Sequence, residues 1–83
     1  MSVRVTLLYF GQARDGSGSA QEEFQLPKGA RVEDLVERAE TKHPRLKRMM
    51  GTAQLALNEE ITAGDAILEE GDVVAILPPV AGG

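Results

Sequence analysis

The residues best suited to chemistry are the last six, Pro78-Pro79-Val80-Ala81-Gly82-Gly83. Proline fixes its own φ and holds the residue before it extended, while glycine removes side-chain obstruction and frees the backbone. The series therefore narrows from a stiff stem to a bare α-carboxylate. Six extended residues reach roughly 20 Å at about 3.3–3.6 Å each, enough to thread a narrow channel in another protein. The carboxylate is ionised at neutral pH and is a poor electrophile. Conversion to an acyl-adenylate supplies a leaving group that a sulfur donor can displace, giving a thiocarboxylate at Gly83. A terminal glycine pair is also the ordinary composition of a frayed end. The join favours the first reading, because Val73-Val74-Ala75-Ile76-Leu77 runs into Pro78 with no charged or Ser-rich spacer. A tail that leaves a buried strand directly is aimed. The expected reactive group is thus the carboxylate of Gly83, with Pro78, Pro79, Val80, Ala81 and Gly82 threading a channel in a partner protein.

Little else in the chain is equipped to react. His43 is the only histidine, and it precedes Pro44 at a helix end, where capping carbonyls is the natural role. Glu22-Glu23, Glu59-Glu60 and Glu69-Glu70 are adjacent pairs. On strands or turns neighbours point apart, so these read as solvated charges rather than paired catalytic acids. Gly16-Ser17-Gly18 lacks the Lys-Ser/Thr pair of a phosphate loop. The chain has no cysteine, which removes disulfides, thiolate metal sites and Cys nucleophiles together. No metal-ligand cluster is visible. The expectation is a protein without an active site of its own and without a bound cofactor.

The 83 residues make one domain near the small end of what a single core can stabilise. Apolar residues make up 42% of the chain, which favours a folded core over disorder. No apolar run approaches the roughly 20 residues of a membrane span, and no secretory apolar region opens the chain, so a cytoplasmic location is expected. The net charge of −4 argues against nucleic acid and for basic surfaces on protein partners.

The elements that must hold the tail follow from periodicity. Val3, Val5, Leu7 and Tyr9 alternate with Arg4, Thr6, Leu8 and Phe10, which predicts an interior strand buried on both sides towards its end. Gly11 to Ser19 reads as a loop, and Ala20 to Leu26 as a half-exposed strand closed by Pro27-Lys28-Gly29. Val32, Leu35, Val36 and Ala39 recur at helical spacing, with Glu33 and Asp34 in the first turn. Arg31 stands where a Ser or Thr cap would be expected, and Pro44 ends the helix after Lys42 and His43. Leu46, Met49 and Met50 suggest a packed loop or short helical turn. Gln54 to Leu57 is a further strand, Asn58-Glu59-Glu60 a turn, and Ile61 a brief return. Glu70-Gly71-Asp72 turns the chain into Val73 to Leu77, whose continuous apolar character suits a strand buried on both faces. A hairpin, a helix across one face and a last strand beside the first describe an α+β ubiquitin-like β-grasp. It would have a mixed sheet of about four to five strands on one main helix, with residues 1–77 as the domain and 78–83 as the tail.

Several segments together resemble a known family. They are Leu8-Tyr9-Phe10-Gly11-Gln12-Ala13-Arg14-Asp15, Val32-Glu33-Asp34-Leu35, Leu55-Ala56-Leu57-Asn58-Glu59-Glu60, Glu70-Gly71-Asp72-Val73-Val74-Ala75 and the Pro-Pro-Val-x-Gly-Gly ending. In this order and at this length the chain resembles the MoaD-type sulfur carriers, the small subunits of molybdopterin synthase. The resemblance implies that a MoeB-type adenylating enzyme consumes ATP to activate Gly83 and that a sulfurtransferase system makes the thiocarboxylate. It implies docking on a MoaE-type large subunit in a heterotetramer, and sulfur transfer to cyclic pyranopterin monophosphate. By position, Phe10, Ile61 and Leu77 correspond to the family's apolar docking patch and Arg14 to a polar contact beside it. The family often has an aromatic residue where Leu77 stands. As residues alone, Phe10 and Leu77 could equally be ordinary core. A carrier for thiazole or tRNA thiolation, a protein modifier joined to lysines through Gly83, and a plain β-grasp interaction module remain alternatives.

Overall fold

The computed structural model describes residues 1–78. The expected tail residues Pro79, Val80, Ala81, Gly82 and Gly83 lie outside the described residues. Strict alternation in β1 (Ser2–Tyr9) places Val3, Val5, Leu7 and Tyr9 on one buried face. The same period puts Phe24 and Leu26 of β2 (Gln21–Pro27) on that face, where Val5 pairs with Phe24 and Val3 with Leu26 in antiparallel register. β3 (Gln54–Leu57) and β4 (Glu60–Thr62) form a hairpin, and β5 (Val73–Leu77) closes the sheet. The strand order is β2-β1-β5-β3-β4, with β1 and β5 parallel and the other pairs antiparallel. The first and last strands are central neighbours, as the β-grasp expectation requires.

Helix α2 (Val32–Lys42) lays Val32, Leu35, Val36 and Ala39 into the core at the spacing read from the sequence. Its N-terminus explains why no Ser or Thr is needed at Arg31. The N–H groups of Val32 and Glu33 donate to the carbonyls of Ala66 (2.9 Å) and Gly64 (2.8 Å). The carboxylate of Asp34 accepts the N–H of Arg31 at 2.8 Å. Helix-end donors are therefore satisfied by a neighbouring loop and by the Asp34 carboxylate rather than by a side chain at the cap position.

Two expectations require correction. The segment after Gly11 is not all loop: Gln12–Ser17 forms a short helix, α1, which buries Ala13 and Ser17. Its glycines made it look irregular, but Gly16 sits against the backbone of Leu46, 3.4 Å from where a Cβ would stand, so a glycine serves close packing. The Leu46 region takes the second of its two expected forms, a short helical turn, as a 3₁₀ helix over Pro44–Arg48. Finally, β5 is not buried on both faces. Val74 and Ile76 are in the core, whereas Val73, Ala75 and Leu77 are only half-buried. The end of β1 behaves likewise, since Leu8 is half-buried and Phe10 exposed. One helix covers one face of the sheet, so the second face stays open.

Candidate functional site

The open face is organised by strand register. Leu8 pairs with Ala75 across β1 and β5, Ala75 with Ala56 across β5 and β3, and Ala56 with Ile61 across β3 and β4. Four strands thus contribute one row, with two alanines in the middle and larger residues at its ends. The small side chains form the floor of an apolar groove of about 530 Å³, and Phe10 and Leu77 line it together with that row. Leu77 is the last residue of β5, so the groove opens beside the point where the chain passes into Pro78. At the other end Asn58 ties the β3–β4 turn to β5. Its Nδ2 donates to Oδ1 of Asp72 and its Oδ1 accepts the N–H of Val73, both at 3.0 Å.

Of the residues singled out for docking, Phe10, Ile61 and Leu77 converge on this groove. Phe10 is 45% exposed and Ile61 63% exposed, unusual for large apolar side chains. Arg14 lies outside the lining, exposed on α1. Leu8, Ala56 and Ala75 were not anticipated as site residues. The alternation in β1 and β5 contained the signal, because it sets Leu8 opposite in facing to Leu7, and Ala75 to Val74.

On the covered face, a polar cluster joins the end of α2 to the sheet. Glu22 was expected to be solvated, yet its side chain is only 15% exposed. It pairs across the strands with Leu7 and shares the inward face of Phe24 and Leu26. Its carboxylate accepts the hydroxyl of Tyr9 at 2.7 Å and Nε2–H of His43 at 2.9 Å, and it pairs with Lys42. Desolvation alone would raise the Glu22 pKa. The hydrogen bonds from Lys42, Tyr9 and His43 outweigh it and bring the value down to about 2. Burial, reinforced by the Glu22 hydrogen bond, pushes the Tyr9 phenol up. His43 was expected to cap helix carbonyls. Instead its ring bonds Glu22 and stands edge-on to Tyr9, with centroids 6.1 Å apart. The cluster locks the helix end to the sheet and is remote in facing from the groove. Among the described residues no group of acidic or histidine side chains could hold a metal ion, and no helix is long and apolar enough to cross a membrane.

The ThiS family model matches residues 7–83. The molybdopterin synthase sulfur carrier subunit of Chlamydomonas reinhardtii is 37% identical over 83 residues, covering 98% of this chain and all of the relative. A Pyrococcus furiosus protein assigned as molybdopterin converting factor subunit 1 superposes with a TM-score of 0.87 at 35% identity, over 94% of this chain and 99% of that one. In Helicobacter pylori, a complex of subunits 1 and 2 of molybdopterin-converting factor contains a similar chain. That match has a TM-score of 0.68 at 28% identity and spans 98% of this chain and the whole of the other.

Proposed function

This chain belongs to the ThiS family and is a sulfur carrier subunit of the molybdopterin synthase kind, and from that premise we propose that Gly83 carries the sulfur. An oxygen of the Gly83 carboxylate attacks the α-phosphorus of ATP, expelling pyrophosphate and leaving an acyl-adenylate. A hydrosulfide equivalent attacks the acyl carbon and AMP departs, so the product is the thiocarboxylate. Attack of that sulfur on an oxygen-bearing carbon of cyclic pyranopterin monophosphate expels that carbon's oxygen substituent, and hydrolysis of the acyl–sulfur bond by water then leaves one sulfur on the acceptor and regenerates the carboxylate. Two such cycles build a dithiolene.

In this reading the adenylation belongs to a MoeB-type enzyme and the transfer to a large subunit. The large subunit seats the groove formed by Phe10, Ile61 and Leu77, and two copies of each chain form the synthase. Arg14, exposed on α1 outside the groove lining, supplies a polar contact. The carrier works in the cytoplasm, where ATP and both enzymes meet it. The observation that supports this most is the apolar row Leu8-Ala75-Ala56-Ile61, which opens beside the strand that leads into the tail. It supplies a handle next to the reactive segment.

The test is intact-mass spectrometry after incubation with ATP, the adenylating enzyme and a sulfur source. Replacement of one terminal oxygen by sulfur is expected. An unmodified terminus with demonstrably active partners would refute the reading, and covalent attachment to other proteins would favour a modifier instead. Appending one residue after Gly83 is expected to abolish loading while leaving the melting temperature unchanged.

A further inference from the structure

The nine lysines and arginines are unevenly placed. Five of them, Arg38, Lys42, Arg45, Lys47 and Arg48, fall within eleven residues that hold one acid, Glu40. From Asn58 to Asp72 the reverse holds, with six acids and no lysine or arginine. The topology sends the two sets to opposite ends. β1 and β5 run parallel, so both begin at one end of the sheet and finish together at the other, where Leu77 leads into Pro78. At the starting end Glu70 accepts the N–H of Arg4 at 2.9 Å, and Asp72 holds Asn58, which in turn holds Val73. At the finishing end Lys42 pairs with Glu22, and His43 stands edge-on to Tyr9, the last residue of β1. The 3₁₀ helix follows directly, and its Leu46 backbone packs on Gly16 of α1. The span from Arg4 to Tyr9 is roughly 17 Å at about 3.3 Å per residue, about twice the screening length of ~8 Å at physiological salt. A partner at one end therefore feels little of the other.

The 3₁₀ helix fixes its cations outward. Residues three apart share a face of such a helix. Leu46 and Met49 take the buried face, which leaves Arg45 and Arg48 together on an exposed one. Lys47 lines a cleft with Glu37 and Glu40, which offset it, and Arg14 and Asp15 are exposed neighbours of opposite charge on α1. Among the described residues ion pairs are confined to Glu22 with Lys42 and His43. Arg45 and Arg48 are thus the uncompensated charges of this end.

We propose that the 3₁₀ helix is an electrostatic docking element, whose Arg45 and Arg48 meet a carboxylate-rich surface on the adenylating enzyme. The inference rests on the reading of Gly83 as the end that is adenylated. A chain of net charge −4 is repelled by an acidic surface in most orientations. The end bearing these arginines is attracted, so charge selects the approach that brings Pro78 towards the enzyme. Charge contacts at the rim of an interface act mainly on the rate of association. An enzyme that loads and releases one carrier after another gains from that speed. The large subunit, seated on the apolar groove of the open face, gains instead from the area it buries.

The experiment compares full-length chains carrying Arg45→Glu with Arg48→Glu, or Arg4→Glu with Lys28→Glu. Both pairs change the net charge equally, the second at the acidic end, where Lys28 bonds Met1. Stopped-flow association and ATP–pyrophosphate exchange with the cognate adenylating enzyme are read at about 50 mM and about 500 mM salt. The Arg45 and Arg48 pair is expected to lower the association rate and kcat/KM about tenfold at low salt and less than about twofold at high salt. Its kcat, and every rate of the Arg4 and Lys28 pair, should stay within about twofold of wild type. An unchanged association rate, an equal fall in the control pair, or a fall that persists at high salt would overturn the inference and leave the Gly83 reading standing. So would a fall confined to association with the large subunit, which would give the arginines to that partner. A wild-type chain that the active enzyme does not adenylate would remove both. Should a reversed pair not fold, Gln replaces Glu at all four positions. A fall of about threefold for Arg45 and Arg48 then supports the docking element, and an unchanged rate refutes it.

Discussion

Leu7 and Leu8 are neighbours in β1, yet Leu7 is wholly buried beneath α2 while Leu8 lines an open groove. The same division runs through β5, where Val74 and Ile76 are in the core and Ala75 and Leu77 face outward. Around the groove both faces of the sheet are apolar, so hydrophobicity does not distinguish them there. Cover does. An apolar face covered by the chain's own helix contributes to folding, in proportion to the area removed from water. One left open makes no such contribution until another molecule covers it, and then contributes to association instead. The covered face even absorbs charge: Glu22, with Tyr9, Lys42 and His43 around it, fixes the helix end to the sheet. The open face keeps its floor small and uncharged.

Mutations on the two faces should therefore separate stability from binding, and the largest effect belongs to the covered one. Leu7→Ala is expected to lose about 2–5 kcal/mol of folding stability by urea unfolding, against less than about 1 kcal/mol for Leu8→Ala. Equal losses would erase the distinction between the faces. On the open face, Phe10→Ala and Ile61→Ala should each weaken binding of the large synthase subunit by about 1–2 kcal/mol in titration calorimetry. Their unfolding midpoints should stay within about 0.5 kcal/mol of wild type. A stability loss without a binding loss would return these residues to the core.

The Glu22 cluster sharpens the comparison through pH. Its folded pKa, about 2, lies below the ordinary 4.5, so the folded state binds the proton less readily than the unfolded chain. The stabilisation is then fully present above the ordinary value and is lost as pH falls from there towards 2. Glu22→Gln should reduce stability at neutral pH by about 1–2 kcal/mol and flatten the acid limb of the stability profile. An unchanged acid limb would mean that the cluster contributes nothing. The smallest effect concerns the groove's far rim, where Asn58 and Glu59 turn the β3–β4 hairpin with φ of 48° and 73°. This is the geometry that favours Asn-Gly, so Glu59→Gly should raise stability by about 0.5–1 kcal/mol in thermal unfolding.

Much of this fold was legible in the residues because its signals are local. Period-two alternation in Ser2–Tyr9, helical spacing from Val32 to Ala39 and the Asn58-Glu59 turn each act within a few positions. The short α1 escaped, since Gly16 and Gly18 mask a helix that is held by packing on Leu46 rather than by propensity. Glu22 was misread for a related reason. Its register with Phe24 and Leu26 pointed inward, but its partners Lys42 and His43 lie about twenty residues away and only folding brings them close. Phe10, Ile61 and Leu77 were picked out by resemblance. Their grouping depends on Leu8, Ala75, Ala56 and Ile61 standing in one row across four strands.

What the chain alone determined is which residues are apolar, where strands and the main helix run, and that a diglycine follows a proline pair. Each of these depends on covalent chemistry or on interactions a few residues apart. The tertiary structure decided which apolar face is covered, which carboxylate is drawn into a buried cluster, and that Leu8, Ala75, Ala56 and Ile61 stand in one row. Those outcomes depend on contacts between distant segments, and only the packed sheet brings such segments within van der Waals reach.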